Sequence, residues 1–175
     1  MEFPRIATWL FRMLAARVVA KRDPDFVVGA ESPDGAYLRR WWLIPRNRWF
    51  NVYLHHFMRD DDDRALHDHP WPWLSFLLAG GYIEHTIEAG GIHQRQHRSP
   101  GSLKASLPGR AHRIELPTVT GFFSGASTKT TCWTLFITGP VVRSWGFHCP
   151  RQGWVPWQQF TAEGKPGEIG PGCGE

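Results

Sequence analysis

Turn signals punctuate this chain every eight to twelve residues through its middle: Gly80-Gly81, Gly90-Gly91, Pro100-Gly101, Pro108-Gly109 and, further on, Gly139-Pro140. Between them lie short runs rich in aromatic and aliphatic residues, at 37–43, 49–57, 73–78, 82–88, 92–97, 102–106, 112–116 and 132–138. About eight strands at that spacing predict an all-β sandwich or small barrel rather than βαβ units, whose strands alternate with helices. A chain of 175 residues has room for one core of ordinary size.

One segment departs from the pattern. Phe3, Ile6, Trp9, Leu10, Met13, Leu14 and Val18 recur at helical spacing with Arg5, Arg12 and Arg17 between them, which predicts an amphipathic helix over 3–22 ended by Asp23-Pro24. Its basic face is compatible with a membrane surface; packing against a barrel accounts for the same pattern and is preferred. The expected organisation is this helix, a β-barrel core over 36–145 and a C-terminal extension over 146–175 that frays after Glu163. Residues 23–35 read as a linker, and Asp60 to Asp63 as a solvated acidic loop.

Composition excludes several classes. Hydrophobic residues make 42% and charged residues 21%, a globular balance that argues against disorder. The net charge of +4 comes from dispersed cations with no basic run, so no nucleic-acid partner and no membrane partner is expected. Cys132, Cys149 and Cys173 are odd in number and lack CxxC spacing, which predicts neither a disulfide framework nor a zinc ribbon, with cytoplasmic location as the default. Ten tryptophans are far above ordinary usage. Trp71 and Trp73 flank a histidine pair, which suits them to wall a pocket or to pack the interior.

That pair is His67-Asp68-His69. On a strand, residues i and i+2 share a face, so both imidazoles stand side by side while Asp68 points away to orient a loop. Imidazoles so placed suit Zn, Fe, Ni or Cu. His112, following the Pro108-Gly109 turn, supplies a third from a different hairpin. Glu115 lies on the opposite face of that strand and reads as an ion-pair partner for an Arg. His148 beside Cys149 reads as a packing or turn contact.

These residues resemble the cupin superfamily, whose first motif carries HxH followed by a Glu and then a Gly and whose second is a PxG turn before a His. Here the matching residues are His67-Asp68-His69, Gly80 or Gly81, and Pro108 to His112. Among cupins the pattern is most similar to the cysteine-dioxygenase-like branch, in which HDH and a later HRxE give three His to one ferrous ion; His67, His69 and His112-Arg113-Ile114-Glu115 stand in those places. The resemblance also implies that Tyr37 and Arg39 hold a substrate carboxylate. The sequence departs from that branch at Leu74, where no fourth ligand is available, at Phe136, which replaces a histidine, and at Thr138, which replaces a tyrosine. Tyr37 to Trp41, His67 to Trp71 and Trp145 to Pro150 further resemble bacterial and phage-type cupins that carry no known activity.

The expectation is therefore a cupin-type double-stranded β-helix with one divalent metal on His67, His69 and His112: Fe(II) by resemblance, with Zn(II), Ni(II) or Mn(II) also accepted by such ligands. Arg39, Tyr37, Trp71 and Trp73 are the candidate substrate contacts, and no catalytic residue is assigned. The expected activity is dioxygenation of a small anionic, thiol-containing molecule, against a non-catalytic metallocupin that binds a ligand. A homodimer is implied by the resemblance alone.

Overall fold

The computed structural model describes residues 2–29, 35–61, 65–121, 126–163 and 170–174. Its strands are β1 (Phe26–Val28), β2 (Leu38–Trp42), β3 (Asn51–Phe57), β4 (Leu66–His67), β5 (Trp73–Ala79), β6 (Tyr82–Glu88), β7 (Ile92–Arg98), β8 (Leu103–Ser106), β9 (His112–Glu115), β10 (Thr118–Thr120), β11 (Ser127–Lys129), β12 (Cys132–Thr138), β13 (Gly146–Cys149) and β14 (Gly153–Pro156). Two six-stranded antiparallel sheets result, ordered β1-β2-β3-β12-β5-β8 and β14-β13-β4-β9-β6-β7, with β10-β11 as a separate ribbon.

The pairings nest. β3 pairs with β12, β4 with β9, β5 with β8 and β6 with β7, all antiparallel. The chain is one long hairpin rolled so that successive strand pairs alternate between sheets, which is the jelly-roll, or double-stranded β-helix, topology. At the β5–β6 turn Gly80 has φ +74°, and a Cβ there would stand 2.1 Å from the Thr131 carbonyl oxygen, so only glycine lets β12 approach.

The N-terminal helix, α1 (Pro4–Leu14), starts with a proline in its first turn, where the missing N–H costs nothing, and widens into a π-helical turn at Ala15–Val19. It lies outside the barrel. Ala7 packs with Trp41, Leu54, Phe76 and Leu78, and Leu10, Phe11, Leu14 and Val18 join them. Phe3, Ile6 and Trp9, read in sequence as the same apolar stripe, are instead exposed. The apolar arc is wider than the contact, and only its centre is covered. No helix among the described residues is long and apolar enough to cross a membrane.

Four regions depart from expectation. The linker contains β1, which pairs with β2. The C-terminal extension supplies β13 and β14 to the second sheet, and a short helix, α2 (Trp157–Phe160), places Phe160 against Phe147 with ring centroids 3.6 Å apart. Cys149 and Cys173 form a disulfide, where the sequence supported no disulfide framework, and only Cys132 stays free and buried. Their Cα atoms lie 5.5 Å apart because the tail returns beside β13, a closeness that sequence spacing does not reveal. The expectation of a cytoplasmic location, which rested on the lack of a disulfide framework, loses that support. In the acidic run, Asp60 and Asp61 are not simply solvated: Leu116 N donates to Asp60 and Ile114 N to Asp61, each at 2.7 Å. Asp62 and Asp63 lie outside the described residues.

Candidate metal centre

β4 is only two residues long, yet it sets the site, because His67 stands directly opposite His112 of β9. His69 lies just past the strand, where the Gly109 N–H bonds its carbonyl at 3.3 Å and Val142 N bonds that of Pro70 at 2.9 Å. The three rings make a nearly equilateral triangle, with centroid separations of 5.1 Å (His67–His69), 5.0 Å (His67–His112) and 5.1 Å (His69–His112). One ligand atom from each lies within 4.8 Å of the others.

The donor set fits a divalent metal. The Nε2 atoms of His69 and His112 are 2.9 Å apart; two nitrogens at ~2.1 Å from one ion and at right angles would be about 3.0 Å apart. Burial drives the His67 imidazole down to about 4, with nearby Asp61 opposing the shift, and burial followed by the neighbouring His67 and His112 holds His69 well below its ordinary value. The neutral His67 and His69 rings present lone pairs near pH 7. A three-His group of this kind could bind a metal ion.

The orientation of His112 comes from a residue that sequence reasoning did not single out. Glu84 of β6 is 2% exposed and accepts from His112 Nδ1 at 3.1 Å, which leaves Nε2 as the ligand atom. It also accepts from Arg98 at 2.8 and 3.1 Å and from Lys104 Nζ. Burial alone would raise the Glu84 carboxyl, but the His112 hydrogen bond and the Lys104 charge pull it down to about 2. Its only local signal was a carboxylate two residues after Tyr82 on a strand that also carries His85, Thr86 and Glu88.

Asp68 points away from the triad, as the alternation predicts, and is fully buried. Oδ1 accepts from Gly146 N at 2.9 Å; Oδ2 accepts from Arg143 at 2.8 Å and Trp154 Nε1 at 3.1 Å and lies 3.2 Å from His148 Nε2. His148 is thus a contact of the loop that carries His67 and His69. Glu115 meets His85 at 2.9 Å and Arg95 at 3.6 Å on the far face of the sheet.

A cavity of about 330 Å³ opens onto the triad and is lined by Trp71, Phe136, Tyr37, Arg40 and His55 besides the three ligands. Trp71 stacks over His69 at 6.1 Å, while Trp73 stacks on His112 at 5.2 Å and turns its edge to His69 at 5.8 Å. Tyr37 donates its hydroxyl to Asp61 Oδ1. Arg39 does not reach the cavity. It is exposed, and strand alternation turns Arg40 inward instead. Arg40 Nε donates to His55 Nε2 at 2.8 Å and its guanidinium sits 4.9 Å from the Tyr53 ring centroid, but among the described residues it has no carboxylate partner. Burial lowers its pKa and holds His55 well below its ordinary value. His55 Nδ1 is buried with no partner. Tyr53, His55 and Phe57 share one face of β3, a two-residue period that could have flagged His55; on β2 both Arg39 and Arg40 adjoin apolar residues, so the phase was ambiguous.

No protein-family model matches the chain, and no curated protein matches it. Among solved structures it is similar to a Klebsiella pneumoniae conserved protein with a double-stranded β-helix domain (14% identity, 63% of this chain and 83% of that one, TM-score 0.43). It is also similar to the Clostridium difficile EutQ protein (8%, 71% and 85%, TM-score 0.47) and to a cupin superfamily protein from Desulfitobacterium hafniense (12%, 69% and 83%, TM-score 0.41). These neighbours are cupin or double-stranded β-helix proteins.

Proposed function

We propose that the chain is a cupin-type metalloprotein that holds one divalent ion on His67, His69 and His112 and acts as an Fe(II)-dependent dioxygenase on a small anionic substrate. The observation that carries this reading is the pairing of a three-imidazole set with a half-buried guanidinium, Arg40, that lacks a carboxylate among the described residues, on the walls of one cavity. A partly desolvated cation without a counter-ion is costly, and an anionic ligand supplies what it lacks.

Bound there, ferrous iron would supply redox chemistry and coordination positions left open by only three protein ligands. Arg40 binds the anionic group of the substrate. His55, with a buried Nδ1 and Nε2 accepting from Arg40, carries its proton on Nδ1 and offers a second donor. Trp71 and Phe136 exclude water. Glu84 holds His112 in one tautomer. Zn(II), Ni(II) or Mn(II) would suit the same ligands, and the size of the cavity admits a thiol carboxylate.

A second reading, a non-catalytic metallocupin that binds the same anion, is favoured by Tyr37, whose hydroxyl is engaged by Asp61. Metal analysis of protein purified without added metal, beside a His67→Ala/His112→Ala variant, tests the centre: stoichiometric metal in the parent alone is expected, and a metal-free parent overturns it. Oxygen consumption with a panel of small carboxylates, thiol carboxylates included, then separates dioxygenase from binder.

A further inference from the structure

Asn51, Thr138, Trp73 and Ser106 stand in one row across the first sheet, at the ends of β3, β12, β5 and β8. The loops 43–50, 139–145 and 107–111 therefore leave the barrel at one end, with 68–72, which enters β5, between the last two. Those three loops carry Trp49, Phe50, Leu107, Val141 and Val142, each between 52% and 67% exposed. Five large apolar side chains are thus gathered on loops at one end of the barrel, unlike scattered surface residues. The same loops contain Arg46, Arg48, Arg110 and Arg143 and no Asp or Glu. Arg143 is engaged by Asp68. Among the described residues Arg46, Arg48 and Arg110 make no ion pair; Arg48 lies 4.5 Å from the Trp49 ring centroid and Arg46 5.4 Å from that of Trp42.

We propose that this end of the barrel docks on an anionic lipid bilayer, with the five apolar side chains entering the headgroup boundary and Arg46, Arg48 and Arg110 meeting the lipid anions. The occupant follows from charge complementarity and shape. Cations of one sign surround the apolar tips, which project from three separate loops rather than lying on a flat face. A bilayer asks for insertion depth and positive charge, which these loops supply, and for no matched surface. The sequence alone placed lipid affinity, if any, on the N-terminal helix; the structure moves it to loops that no periodicity marks. Phe50, Leu107 and Arg110 also border a groove of about 1800 Å³ that extends to His112, so docking would set that groove against the lipid.

The test is co-sedimentation of the full-length protein with vesicles of phosphatidylserine and phosphatidylcholine, compared with phosphatidylcholine alone. Binding to the anionic vesicles, weakening with salt, is expected. At roughly 5-fold per cation, Arg46→Gln/Arg48→Gln should lower affinity about 25-fold at low salt. Trp49→Ser/Val142→Ser should reduce binding to background, and Ile6→Ser/Trp9→Ser on α1 should leave it unchanged, with circular dichroism verifying each fold. Equal binding to both vesicle types, no binding, or retention by the Arg variant overturns the proposal. So does a concentration-dependent dimer dispersed by Trp49→Ser/Val142→Ser, which would assign the patch to a second copy.

Discussion

Arg40 is an expensive residue for the fold, and its cost can be measured. Its charge is half-buried and turned into the cavity, and in return the structure gives it one hydrogen bond to His55 at 2.8 Å and the face of Tyr53 at 4.9 Å. Desolvating an ion costs several kcal/mol, while a charged hydrogen bond returns about 1.5–3 kcal/mol and a buried cation–π contact about 2. Replacing both partners by apolar residues of similar volume, as Arg40→Met/His55→Phe, leaves no orphaned polar atom behind, and Phe can keep the stacking that His55 makes with Phe136 at 5.0 Å. Such exchanges of buried charged groups are neutral or stabilising by roughly 1–4 kcal/mol, and about 2 kcal/mol fits this ledger. For a chain of this size that corresponds to a rise in Tm of about 4–8 °C. The assay is thermal unfolding of metal-free parent and variant, with and without a short thiol carboxylate. The parent alone should gain stability from the anion, by about 2.7 kcal/mol at a hundredfold excess over Kd. A variant that melts below the parent, or that still responds to the anion, would refute the reasoning.

Glu84→Gln should fold and bind metal about 10–100-fold more weakly, measured by competition with a chelator, because Glu84 fixes the His112 tautomer. His56 stacks on Trp133 at 3.9 Å, and burial, with Arg39 beside it, lowers its pKa to about 4. As pH falls from about 6.5 to 4 the unfolded chain takes up this proton and the folded chain does not, so stability falls by at most about 3 kcal/mol. His56→Phe should flatten that window of the pH–Tm profile. Cys173→Ser opens a loop spanning 24 residues and should cost up to about 3 kcal/mol, with the parent matching the variant under reducing agent.

The legible parts of the molecule were those written in local patterns. Turn spacing marked the strands, the two-residue period put His67 and His69 on one face with Asp68 on the other, and the Pro108-Gly109 turn brought His112 to them. What stayed hidden depends on partners distant in sequence. Nothing near Glu84 announces His112, Arg98 and Lys104. Cys149 meets Cys173 only because the tail folds back, and Asp61 is buried because β9 offers it the Ile114 N–H. The choice between Arg39 and Arg40 turned on strand phase, which a one-residue shift reverses.

Asp68 fastens the metal loop to groups 75, 78, 80 and 86 residues further along the chain, those of Arg143, Gly146, His148 and Trp154. During synthesis the three ligands leave the ribosome well before the hairpin that holds their loop in place. A nascent chain ending at β12 would therefore contain every metal ligand without the anchor that sets their geometry. The centre would be completed at the close of folding, through contacts of high sequence separation that form slowly. Metal capture should follow release of the whole chain rather than guide its early collapse, and a protein stopped short of β14 should remain metal-poor even with its triad intact.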